Sequence, residues 1–166
     1  MRAWLGWLSW MLLAVSSCSS ESENGHACTD IGCTDGVHVS VLTGPLEDGD
    51  YTLRVTFDGD AYECRLSAPG DLPAPGNGHA LSCSPELRSA LVISRSSCDD
   101  TACPPAGPLE WSFLPEGFPE TVAVKLERGG ETLAEAERSI EYHQIYPNGP
   151  DCDPSCKTSG VEFLFD

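Results

Sequence analysis

The stretch Tyr51-Thr52-Leu53-Arg54-Val55-Thr56-Phe57, then Asp58-Gly59-Asp60, then Ala61-Tyr62-Glu63-Cys64-Arg65-Leu66, decides the fold. Apolar residues occupy every second position on both sides of the turn: Tyr51, Leu53, Val55 and Phe57 before it, Tyr62, Cys64 and Leu66 after it. Side chains alternate across a strand, so a period of two gives one dry face and one wet face. Asp-Gly supplies the positive φ angles that a two-residue hairpin turn requires. An antiparallel hairpin with one buried face is the expected result.

The same period continues outward in both directions. Val37, Val39 and Val41 alternate with His38 and Ser40 upstream. Downstream, the Pro/Gly-rich segment 68–78 can hold neither strand nor helix and is expected to cross between sheets, with short strands around 81–83 and 90–94. Leu109, Trp111 and Phe113 share a face. A turn over 115–119 leads to Val122, Val124 and Leu126, and Gly129-Gly130 predicts a second hairpin. Residues 131–144 contain good helix formers, yet Ala134, Ala136, Ile140 and Tyr142 alternate with Glu135, Glu137 and Glu141; the preceding Gly-Gly favours strand, with helix as the alternative. Val161, Phe163 and Phe165 make a last alternating run. Eight or nine short strands predict an all-β chain, an antiparallel two-sheet β-sandwich stapled by disulfides, immunoglobulin-like or fibronectin-like. No internal repeat is visible, and the Cys-Trp-Cys spacing of antibody domains is missing.

Charge narrows the partners. The 166 residues hold 9 Lys plus Arg against 26 Asp plus Glu, a net charge of −17. A nucleic-acid surface needs clustered cations to release counterions, and the basic residues here are scattered, so nucleic acid is excluded. Anionic headgroups would repel the body as well. The acidity serves solubility, with a cationic partner or Ca²⁺ as the specific alternatives.

The first residues set the expected address. Met1 and Arg2 are followed by a predominantly apolar run, 3–15, shorter than the about 20 residues that span a bilayer. Val15-Ser16-Ser17-Cys18 resembles the bacterial lipobox, which implies a signal peptide over 1–17, cleavage before Cys18, diacylglyceryl on the sulfur and an acyl chain such as palmitate on the new amine. The alternative is an ordinary secretory signal cleaved nearby. Two or more acyl chains on one residue hold a protein to a membrane permanently. Ser19 in place of Asp points, by the rule for Gram-negative cells, to the outer membrane. Residues 18–26 then form a polar tether and 27–166 a single disulfide-rich domain.

Nine cysteines suit an oxidising compartment, and lipidating Cys18 leaves an even number to pair. Zinc is the alternative for the closely spaced pairs. Cys64 and Cys83 flank the loop between consecutive strands and are expected to bond, as are Cys98 and Cys103 around their own loop. In immunoglobulin-like sandwiches part of the first strand runs parallel beside the last. That likeness places Cys28 and Cys33 near Cys152 and Cys156 and implies bridges between the termini, their order open.

Catalytic patterns are missing: no His-Glu-x-x-His, Gly-x-Ser-x-Gly, phosphate-binding Gly loop or Ser-x-x-Lys occurs. His26, His38, His79 and His143 lie far apart, two on wet strand faces and two in loops. Trp111, Tyr51 and Tyr62 keep parity with core residues, leaving Phe118 and Tyr146 as exposed platforms. No cofactor is implied. Paired acids in turns, Asp48 with Asp50 and Asp58 with Asp60, and likewise Asp99 with Asp100 and Asp151 with Asp153, are weak Ca²⁺ candidates, although Asp-Gly is also common turn chemistry.

The lipobox, the acidic tether, Cys28-x-x-Ile31-Gly32-Cys33-x-Asp35-Gly36 before one strand and Pro147-Asn148-Gly149-Pro150-x-Cys152-x-Pro154-x-Cys156 before the last together resemble uncharacterised bacterial lipoproteins abundant in myxobacteria. The resemblance implies fold and location, with no activity attached. Three functional classes follow as expectations. The first is a monomeric, non-catalytic, lipid-anchored binding or structural module with a protein or glycan partner. The second is an enzyme or enzyme inhibitor of unrecognised type acting from loops such as 104–108. The third is a Ca²⁺-dependent binder.

Overall fold

A computed structural model describes residues 31–87, 89–95 and 108–165. Eleven strands run in chain order: β1 Gly36–Thr43, β2 Gly49–Phe57, β3 Asp60–Ala68, β4 Gly78–Ala80, β5 Ser82–Ser84, β6 Ala90–Ser94, β7 Leu109–Phe113, β8 Thr121–Arg128, β9 Glu131–Ser139, β10 His143–Ile145 and β11 Cys156–Phe165. They make two sheets packed as a sandwich, one ordered β10-β11-β1-β7-β6-β4 and the other β5-β3-β2-β8-β9. No helix occurs among the described residues. Cys18, Cys28, Cys98 and Cys103, the tether and most of loop 104–108 lie outside them.

The Tyr51 to Leu66 hairpin forms with Phe57 opposite Asp60, turning through Asp58 (φ 48°) and Gly59 (φ 96°). Both φ values are positive, the geometry whose twist matches the flanking strands. Gly129 and Gly130 turn β8 into β9 in the same way (φ 56° and 88°). Two departures from the expected strand count have one cause. β4 and β10 are the strands beyond that count, and with three residues each they are too short to show a period. The chain switches sheets at Leu81, between β4 and β5. Residues 131–144 are strand, interrupted where Ile140 turns into the core and its amide bonds the Glu120 carbonyl at 2.8 Å.

The core sits where the two dry faces meet. Val37, Val39 and Val41 of β1, Leu53 and Val55 of β2, Val92 of β6, Trp111 and Phe113 of β7, Val122 and Val124 of β8 and Phe163 of β11 are all buried. Burying one such side chain contributes about 1.5–3 kcal/mol.

β1 runs parallel to β11, Gly36 beside Thr158 through Thr43 beside Phe165, and antiparallel to β7. Both parallel strands start at one pole, the base, where the Cys33–Cys156 disulfide joins the segment leading into β1 to the first residue of β11. A second disulfide, Cys64–Cys83, joins β3 to β5 directly across the ladder. Cys152 is also disulfide-bonded, and its partner lies outside the described residues. No described cysteine remains for zinc.

Candidate functional site

Sites that would need a reacting pair come first. The histidines are not all isolated, as their spacing suggests: β1 and β7 bring the His38 Nε2 to 2.5 Å from the Ser112 hydroxyl. Serine hydrolysis further needs an acid on the other ring nitrogen and donors for an oxyanion. The neighbouring Glu110 does not serve, because it accepts from Ser40 at 3.0 Å and from Arg95 at 2.6 Å. Burial pushes the Glu110 carboxyl up, and the Arg95 and Ser40 bonds pull it down further, leaving it below its ordinary value. The pair stands on an exposed sheet face and is a cross-strand contact.

The acidic turns are structural latches. Asp58 accepts from the Glu120 amide at 2.9 Å, the Thr121 amide at 2.8 Å and the Thr121 hydroxyl at 3.1 Å, tying the β2–β3 turn to the start of β8. Those bonds, the Glu120 amide first, hold its carboxyl below the usual range. Asp50 accepts from the Ser67 hydroxyl. Asp48–Asp50 and Asp58–Asp60 lie at opposite ends of β2, and at roughly 3.3 Å per residue about 26 Å separates them. Each pair would therefore have to hold an ion within its own turn. Among the described residues no three His, Cys, Asp or Glu side chains converge on a metal position. EDTA should therefore leave the melting temperature unchanged, while reductant should lower it by many degrees; a large drop with EDTA that Ca²⁺ reverses would restore the cation sites.

Acid should weaken the latch. Asp58 and Glu63 titrate below their ordinary values, Asp58 through backbone amides and Glu63 through its bonds to Arg65 and Arg54. Groups depressed in the folded state stabilise it above the unfolded carboxylate value near 4, and that contribution is lost as pH falls through the lowered folded value. Asp58→Asn should therefore melt earlier than the parent at neutral pH, with the gap closing in strong acid. A gap independent of pH would contradict this assignment.

The base is a second cluster. Lys157 lies 5.0 Å from the ring centres of both Phe118 and Tyr142, and those rings meet edge to face at 5.3 Å. The Tyr142 hydroxyl bonds the Pro119 carbonyl, and burial raises its pKa. Phe118 is thus exposed but already engaged, whereas Tyr146 lies exposed beyond β10. The Asn148 side chain bonds both the amide and the carbonyl of Ile31, so the chain preceding β1 enters the body here.

One long flank of the sandwich lies between β9 in one sheet and β11 in the other. A lower groove of about 380 Å³ is lined by Arg138, Ser139, His143, Ser159, Gly160 and Val161, among others. An upper groove of about 310 Å³ is lined by Thr43, Leu46, Leu126, Leu133, Ala134 and Phe165, among others, with the Arg128–Glu47 ion pair at its edge. Between them the Arg138 guanidinium lies 5.6 Å over the Phe163 ring. Leu133 reaches the surface because it is the extra residue of a bulge: Leu126 faces Ala134 while Glu127 faces Thr132. The sequence marks neither the bulge nor the flank, since both depend on strand register.

No protein-family model, curated protein or solved structure matches this chain.

Proposed function

We propose that this chain is an envelope lipoprotein held to the outer membrane through acylated Cys18, whose single sandwich domain is a monomeric, non-catalytic binding module. The observation that carries the reading is how the titratable groups are used. The carboxylates with lowered pKa values, Asp58, Glu63 and Glu110, are all committed to latches and ion pairs, whereas the flank between β9 and β11 offers a largely polar lower groove and an upper groove with an apolar wall. Reaction centres concentrate perturbed groups in a cleft; binding surfaces do not need them. The immunoglobulin-like reading draws its support from the parallel placement of the first and last strands.

Lipid attachment is supported by Val15-Ser16-Ser17-Cys18 and by the entry of the chain at the base. A tether from Cys18 would hold that pole toward the bilayer and leave the flank open to the side. Cys18→Ser should move the protein almost entirely from the membrane to the soluble fraction. Sedimentation with membranes equal to the parent's would refute the anchor.

A further inference from the structure

We propose that β11 adds an extended, basic segment of a partner protein along its free edge, residues 160–165. The proposal rests on the reading of the domain as a binding module and names the class of ligand. On one side β11 pairs with β1 from Thr158 to Phe165; on the other, β10 covers only Cys156 to Thr158. Ser159 still bonds the Glu141 carbonyl through its hydroxyl. From Gly160 onward no described strand pairs with that edge. Unpaired strand edges are templates for another chain, and proteins blunt them with charges, proline, bulges or short length. The other edges here are blunted: β4, β5 and β10 by their three residues, β9 by its bulge and by Glu135, Glu137 and Arg138. Gly160-Val161-Glu162-Phe163-Leu164-Phe165 has one charge, no proline and an unshifted register, and Leu164 is 68% exposed.

Strand addition draws affinity from main-chain hydrogen bonds and specificity from pockets for alternate side chains. Both components are present. A Cβ on Gly160 would meet nothing within 4 Å, so the face of the sheet beside the edge is open there. Inward-pointing residues of an added strand would reach the grooves above and below Arg138. The upper one combines an apolar wall of Leu46, Leu126, Leu133, Ala134 and Phe165 with the Arg128–Glu47 pair at its edge and the hydroxyl of Thr43, which is buried without a hydrogen-bond partner among the described residues. Charge selects the occupant. Glu131, Glu135, Glu137, Glu141 and Glu162 border the flank against Arg138 and an Arg128 already paired with Glu47, on a chain of net charge −17. An incoming strand with Lys or Arg on its outward positions and apolar residues inward fits this field; a second copy of this chain carries the repelling charge.

The test uses the full chain purified from membranes in detergent, with the capped peptide Lys-Val-Lys-Val-Lys-Val-Lys-Val as probe. We expect it to bind, and the Glu-Val counterpart not to. Hydrogen exchange should slow at the amides of 160–165. Glu162→Lys should weaken binding about tenfold and Glu86→Lys, the same charge change on an exposed residue away from the flank, less than about twofold. Equal weakening by both variants, protection at β9 alone or no binding at all would overturn the proposal. So would self-association in sedimentation with protection of 160–165 before peptide is added, which would assign the edge to a second copy. Membrane release by Cys18→Ser reads the anchor separately, so either claim can fail without the other.

Discussion

Replacing Cys33 and Cys156 together by alanine should destabilise the folded body by about 4–5 kcal/mol, the largest effect of any pair of substitutions outside the core. The bridge joins residues 123 apart in sequence, and in the chain-entropy account a cross-link closing so long a loop removes the most freedom from the unfolded chain. The Cys64–Cys83 bridge, 19 apart, should contribute about 3 kcal/mol by the same reasoning. The ordering of the two double variants in denaturant unfolding is therefore the discriminating result. The longer bridge also fixes the place where β1 and β11 start side by side, a pairing that chain connectivity does little to favour. A loss below about 1 kcal/mol for the Cys33/Cys156 variant would show that the parallel pairing holds without its staple.

Trp111→Ala should cost nearly as much, about 3–4 kcal/mol, through the cavity it leaves between the sheets. Trp111 is fully buried on β7, flanked by Val41 of β1 and Val92 of β6 in the ladder. Its indole Nε1 has no acceptor among the described residues. An unpaired buried donor costs about 1–3 kcal/mol, so part of what the large ring contributes is already offset. Trp111→Phe removes that donor while keeping most of the apolar volume, and it should change stability by less than about 1 kcal/mol. Equal damage from phenylalanine and alanine in thermal unfolding would mean that the indole N–H has an acceptor.

The parts of this fold that are legible in the sequence are those written locally. The Tyr51 to Leu66 hairpin, the Gly129-Gly130 turn and the core parity of Trp111 and Phe163 follow from a period of two and from turn chemistry. Of the three-residue strands, β5 falls where a short strand around 81–83 is expected, whereas β4 and β10 are not legible, because a period needs length. Neither is the contact of His38 with Ser112, which depends on the register between β1 and β7 and joins residues 74 apart in sequence. The acidic turns carry the opposite lesson. Asp58-Gly59-Asp60 looks like either a cation loop or a turn, and only the position of the Glu120 and Thr121 amides beside Asp58 decides for the turn. The flank is hidden for a related reason: where β10 stops covering β11 is set by the break at Ile140 and by the short β10, neither of which has a sequence pattern of its own.

The central claim, a lipid-held and fully cross-linked module, is tested most directly by the intact mass of the protein extracted from membranes under non-reducing, thiol-alkylating conditions. The account predicts a chain that begins at Cys18, carries a diacylglyceryl group and an amide-linked acyl chain, and takes up no alkylating reagent. A chain without acyl groups, or one that is alkylated at any cysteine, would contradict it.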